Sequence, residues 1–155
     1  MTDAQGVARL TDHQAVALTI WAEARNEPIV GQIAVGCVIR NRLRRPQRFG
    51  ATWRAVCLRK LQFSCWWPVG GAVNHQRLMV QVTRLLDGHA PEPRSSLAVA
   101  FWVADGVMLH GVPDVTGGAD HYLTRALLHA APPAWVRAPA RQTIEIGDHA
   151  FFTVP

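Results

Sequence analysis

A helix-dominated α+β fold with a small β element is the class that the sequence predicts, on three observations. Helical periodicity dominates the first two thirds of the chain, apart from one aperiodic stretch. The last third changes to Gly, Pro, His and aromatic residues with short strand-like runs. And 155 residues, 49% of them hydrophobic, bury one real core but are too few for two ordinary domains and a linker. One domain over 1–155 is therefore expected, with a cleft where its helical and irregular parts meet.

Thr11 or Asp12 can cap a first helix running to about Asn26, with Val16, Ile20 and Ala24 on one face and Trp21 beside them. Pro28 punctuates it, and Asn26-Glu27-Pro28 makes a tight corner into a second helical pattern from about Val30 to Arg44. Ile33 with Cys37 and Ala34 with Val38 repeat along that pattern, and Pro46 stops it. From Gln47 to Val73 no period is sustained, which predicts a long ordered loop with one helical turn near Trp53 to Leu58. Asn74 to Leu86 aligns Leu78, Val82 and Leu85, and Ser95 to about Val107 aligns Leu97, Phe101 and Ala104. The run Asp87 to Pro93 breaks the two apart, and candidate strands follow at His121 to Leu123 and Ala150 to Val154.

Mean hydropathy is +0.05, and no apolar run reaches the roughly 18 residues that a membrane-spanning helix needs. The N-terminal segment has no basic leader before an apolar run, since His13, Thr19 and Glu23 interrupt its hydrophobic stretch, so no secretory signal is expected. Cys37, Cys57 and Cys65 are too few and too uneven for a disulfide framework or a four-ligand metal site, and read as buried hydrophobes. Pairing of Cys57 with Cys65 after export is the alternative. The formal charge is +5, with 8 basic residues between Arg40 and Lys60 and no Asp or Glu between Pro28 and Leu86. A positive face suited to a polyanion follows, or else a solvated surface without a partner.

Of the 11 carboxylates, Glu23 has the most apolar local surroundings, with Ile20 and Ala24 adjoining it on the helix. Low dielectric there would favour the neutral acid, as a proton donor to a leaving group requires; pairing with Arg25 or a basic residue of the second helix is the plainer alternative. Glu27, one turn further on much the same face, suits either a ligand hydroxyl or a structural role at the corner.

Trp21-Ala22-Glu23-Ala24-Arg25-Asn26-Glu27-Pro28, followed by Gly31-Gln32-Ile33-Ala34-Val35 and Asn41-Arg42, resembles the opening of the SleB-like cell wall hydrolases, whose usual pattern is A-E-A-R-G-E-P. Three later blocks agree in order: Gln62-Phe63-Ser64-Cys65-Trp66 looks like the family's Q-F-S block, Asp114-Val115-Thr116-Gly117-Gly118-Ala119 like D-P-T-G-G-A, and Ile146 to Phe152 like I-G-N-H-x-F-Y. The resemblance covers about residues 12 to 153. Asn26 replaces a Gly and also tolerates left-handed backbone, while Val115, Asp148 and Phe152 replace Pro, Asn and Tyr.

The resemblance implies a lysozyme-like or lytic-transglycosylase-like fold, the catalytic acid at Glu23, and the glycan strands of peptidoglycan as substrate. Around Glu23 the expected substrate-binding set is Glu27, Gln62, Phe63, Ser64, Trp66, Asp114, Thr116, Gly118, His121, Tyr122 and His149. Trp66, Trp67, Tyr122 and Trp135 offer flat faces for sugar rings, although each Trp suits a core equally well. With no convincing second carboxylate, a transglycosylase giving a 1,6-anhydro product is favoured over a muramidase that uses Asp114 or Asp120 as base. A zinc peptidase built on His110, Asp114, His121 and His149 and a non-enzymatic polyanion-binding module are the rivals, but no H-E-x-x-H helix and no nucleic-acid-binding signature is present. No cofactor or metal is expected. The chain is expected to be a monomeric phage endolysin, made in the host cytoplasm and released to the wall through a holin, with anionic envelope polymers meeting the Arg40 to Lys60 face.

Overall fold

The computed structural model describes residues 3–67 and 72–155. After a short α1 (Asp3–Ala8), α2 (Asp12–Ala24) starts at Thr11, whose hydroxyl accepts the Gln14 N–H while the Gln14 side chain accepts the Thr11 N–H. That reciprocal capping box satisfies two otherwise orphaned donors. From Ala15 to Ala22 every residue of α2 is buried, because α3 (Ile29–Leu43), α5 (Trp53–Leu58), α6 (Ala72–Leu86) and α7 (Ser96–Leu109) pack around it. A helix apolar on nearly every face belongs at the centre of a bundle. α3 approaches α7 so closely that a Cβ on Gly36 would come within 2.8 Å of Val107.

The stretch from Gln47 to Val73 carries more structure than expected. α4 (Pro46–Phe49) overlaps its start, α5 occupies the expected turn and is capped by Thr52, and a 3-10 turn spans Ser64–Trp66. β1 (His121–Thr124), β2 (Arg141–Ile146) and β3 (His149–Thr153) form an antiparallel sheet in the order β1-β3-β2, and α8 (Arg125–Ala130) follows β1. Alternation along the strands gives the sheet two faces. Tyr122 and Phe151 face Ala34 and Val38 of α3, whereas Leu123, Ala150 and Phe152 face Leu128, Trp135 and Val136.

The basic cluster departs from expectation. Arg40 donates to Val112 O at 2.7 Å, Arg42 to Asp120 O at 2.7 Å, Arg48 to Val154 O at 2.8 Å and Arg54 to Leu10 O at 2.8 Å, while Arg45 meets both the Asp120 carboxylate and Val154 O. These guanidinium forks tie loop and strand-end carbonyls to the helices, leaving Arg44, Arg59 and Lys60 as the exposed members without such bonds. Much of the positive face thus also serves as fastening, although only Arg42 of the cluster is buried. Arg42 is the extreme case, buried between the rings of Phe49 and Phe63. The three cysteines are free and buried, so Cys57 and Cys65 are not joined; burial pushes the Cys57 thiol up to about 12. Among the described residues no helix is long and apolar enough to cross a membrane.

The corner between α2 and α3 is latched to the sheet. Glu27 Oε2 accepts the Asp148 N–H at 3.0 Å, and Gln32 Nε2 donates to Glu27 O at 3.3 Å. Between β2 and β3, Gly147 has φ +58°, and a Cβ there would overlap the Glu27 carboxylate. Gly147→Ala is expected to break this latch and destabilise the fold by about 2 kcal/mol, from left-handed strain plus a lost charged hydrogen bond. Urea denaturation of the variant against the native chain measures it.

Candidate active site

α2 ends at Ala24, so Glu23 stands in its last turn with its side chain half-buried. Its two carboxyl oxygens are held from two directions. Oε1 accepts the Cys65 backbone N–H at 3.3 Å and Oε2 accepts the Tyr122 hydroxyl at 2.7 Å. The N–H of Cys65 is available because it lies in the first turn of a 3-10 helix, where amides have no partner within the helix. Tyr122 arrives from β1, with its ring wedged between His149 and Phe63 and tilted against Phe151. Burial and the adjacent Glu23 charge hold its phenol well above the ordinary range, so the hydroxyl stays a donor.

Arg25 does not pair with Glu23. It folds back on its own helix, donating to Ala22 O at 3.2 Å and stacking 4.5 Å over the Trp21 ring. Glu23 instead opens into a groove of about 450 Å³, walled on one side by Asn74 and Arg77 of α6 and on the other by Glu27, Asp148 and His149. Asn74 fixes the α6 wall by donating to Ala22 O at 3.2 Å. His149 is buried, and its Nδ1 has no hydrogen-bond partner among the described residues.

The expected site residues divide into three groups. Glu23, Glu27, Tyr122 and His149 come together at the groove, although Glu27 spends a carboxylate oxygen on the Asp148 amide and so also serves the corner. Phe63 and Gln62 lie behind them as support, Phe63 under Arg42 and Gln62 through its carbonyl, which accepts from the same arginine at 3.3 Å; Ser64 is exposed at the start of the turn that presents the Cys65 amide. The remainder do not reach the groove. Trp66 is in the core, its indole N–H donating to Thr19 Oγ1 at 2.9 Å. Trp67 lines a separate apolar pocket with Val7, Leu58 and Met79.

Asp114, Thr116 and Gly118 build a turn rather than a binding surface. Asp114 accepts the Thr116 hydroxyl and amide at 2.6 and 2.8 Å, the Asn41 amide at 2.9 Å and the Gly118 N–H at 3.0 Å. His121 is carried to the opposite sheet face from Tyr122 by strand alternation, where it meets Trp135, Phe49 and, at 2.8 Å, Asp120. Asp120 is itself buried and held by Arg45, His121 and the Val154 amide. Neither Asp114 nor Asp120 is therefore free to act as a base at Glu23. His110, Asp114, His121 and His149 do not converge, and among the described residues no three metal-ligating side chains cluster.

Three contributors escaped the sequence reading. The Cys65 amide is a backbone group inside a quoted motif, visible only once the 3-10 turn is known. Asn74 and Arg77 carried a signal, since α6 repeats polar residues at Asn74, Arg77, Gln81 and Arg84, one face of an amphipathic helix.

A family model described as Cell Wall Hydrolase matches residues 26–152. The chain belongs to the cell wall hydrolase family. Two solved structures agree with the fold of this hydrolase. The catalytic domain of the germination-specific lytic transglycosylase SleB from Bacillus anthracis superposes with a TM-score of 0.59 at 25% identity, covering 90% of this chain and 92% of that one. The catalytic domain of the Bacillus cereus SleB protein gives 0.56 at 25% identity, covering 90% and 88%. No curated protein matches the chain. The helix-dominated α+β class expected from the sequence is the one observed, and the family match begins just after Glu23.

One measurement tests the site of this hydrolase and a second tests the Asp114 turn that precedes β1. Tyr122→Phe leaves the packing but removes one of the two donors to Glu23, and is expected to lower kcat of wall lysis by about tenfold, one charged hydrogen bond, with the melting temperature little changed. For Asp114, burial alone would raise the carboxyl, but the hydrogen bonds of the turn outweigh it and hold it below the usual range. A folded-state pKa lower than the unfolded one means that the ionised turn stabilises above about pH 4, and that this is lost as pH falls through the folded value. Asp114→Asn is accordingly expected to lose about 1–2 kcal/mol at neutral pH and to show a shallower acid limb in pH-dependent urea unfolding.

Proposed function

We propose that this cell wall hydrolase is a lytic transglycosylase acting on peptidoglycan glycan strands, with Glu23 as its single acid and base. The observation that carries the reading is the Glu23 carboxyl, half-buried in the groove and fixed by Tyr122 and the Cys65 amide. The other groove carboxylates serve differently, since Glu27 is latched to the hairpin and Asp148 is exposed at its tip. The match to a lytic transglycosylase catalytic domain supports the same reaction class.

In that reaction Glu23 gives its proton to the glycosidic oxygen as the bond from muramoyl C1 breaks. The carboxylate so formed is stabilised by its two donors. It then takes the proton of the muramoyl 6-hydroxyl, whose oxygen bonds to C1. The product is a 1,6-anhydro sugar, no water is consumed, and Glu23 is again protonated. We also carry in this proposal a monomer released to the wall as an endolysin, with exposed Arg44, Arg59 and Lys60 as the surface left for anionic envelope polymers.

Glu23→Gln is expected to lower sacculus digestion by about 10²- to 10⁴-fold without loss of fold. Mass spectrometry of the native digest should give anhydro-muropeptides; reducing muramic ends or freed peptide termini would overturn the assignment.

A further inference from the structure

The groove that holds Glu23 is polarised. Glu27, Asp148 and His149 line the wall formed by the corner and hairpin, whereas Arg25 and Arg77 line the wall formed by the end of α2 and by α6. Among the described residues neither arginine forms an ion pair, although each of Arg45, Arg84 and Arg125 does. Arg25 spends one guanidinium nitrogen on helix carbonyls and rests its plane on Trp21, which fixes the fork without neutralising it. Arg77 is exposed, one turn along α6 from Asn74, the residue that docks this helix on Ala22. The two cations are near enough to feel one another, for burial and then the Arg77 charge both lower the Arg25 pKa. Like charges near one another without an ion-pair partner disfavour the empty groove and favour an anion bound there.

We infer that Arg25 and Arg77 form a carboxylate-binding subsite that recognises an acidic substituent on the sugar beside the scissile bond. This rests on the proposed reaction at Glu23 and adds what selects the substrate. A planar guanidinium matches a carboxylate with two parallel hydrogen bonds. In peptidoglycan that carboxylate has two sources, the lactyl group of a peptide-free muramoyl residue or the acidic residues of the stem peptide. With the anion on the α6 wall, the ligand is oriented in the groove and one end of the strand is distinguished from the other.

The test uses the whole chain and three substrates: sacculi with intact stem peptides, strands stripped by an amidase so that the lactyl carboxylate is free, and strands whose carboxyl groups are converted to amides. The native enzyme is expected to lose about ten- to hundredfold in kcat/KM on the amidated strands, mostly through KM, the scale of a charged hydrogen-bonded pair. Arg77→Gln, an exposed substitution, should lose a similar factor on the charged substrate and be indifferent to amidation, while Arg77→Lys should recover part of the discrimination. Efficiency gained on amidase-stripped strands assigns the lactyl group, whose carboxylate is tied up as an amide while the peptide is attached, and efficiency lost with the peptides assigns the stem. Equal efficiency of the native enzyme on charged and amidated strands, or equal losses for Arg77→Gln on both, would overturn the subsite. Anhydro products from the native enzyme identify the reaction independently of either outcome, and their absence sinks the reaction rather than the subsite.

Discussion

A carboxyl group at the end of a helix buried on nearly every side must be met by donors, and the rest of the molecule is arranged around meeting it. Burial of α2 makes Glu23 costly unless hydrogen-bonded. One donor is the Tyr122 hydroxyl from β1 and the other the Cys65 amide from the turn after α5. Both depend on distant fastenings. β1 is positioned through its pairing with β3, through Asn41 and the Asp114 turn before it, and through Arg42 and Arg45, which hold Asp120. Arg42 also ties down the Gln62 carbonyl just before the 3-10 turn, so a single buried guanidinium sets both arms of the clamp.

This explains the use of arginine where the charge pattern alone points to a surface. A lysine ammonium is a compact, strongly hydrated point charge; a guanidinium can meet two carbonyls at fixed angles and lie against aromatic rings as well. Arg42 does all of this between Phe49 and Phe63, and Arg45 and Arg48 fasten the carbonyls just past the end of β3. Net charge does not distinguish such residues from free surface charges, yet carbonyls hold each of them in place.

What was legible in the sequence follows the range of the forces involved. Thr11, Thr52 and Ser95 act within three residues of themselves, and the helices they cap were readable almost to their ends. Glu23 lies in the opening motif and Tyr122 just past the Asp114 to Ala119 block, but the face on which each neighbour points depends on strand register: His121 and Tyr122 are adjacent in sequence and on opposite sides of the sheet. β2 was missed because it is an edge strand exposed along almost its whole length, with only Ile144 and Ile146 alternating about Glu145. Trp66 was ambiguous because an indole fits a sugar and a core alike, and only the Thr19 hydroxyl at its N–H decides between them.

The second donor to Glu23 is main chain, not side chain. Exchange of Cys65 for another small residue that fits its buried site keeps that amide in place, so half of the restraint on the acid does not depend on the identity of a side chain. Evolution can retune this position for packing or oxidation resistance without touching the bond, whereas the phenol on the opposite side has no such insurance.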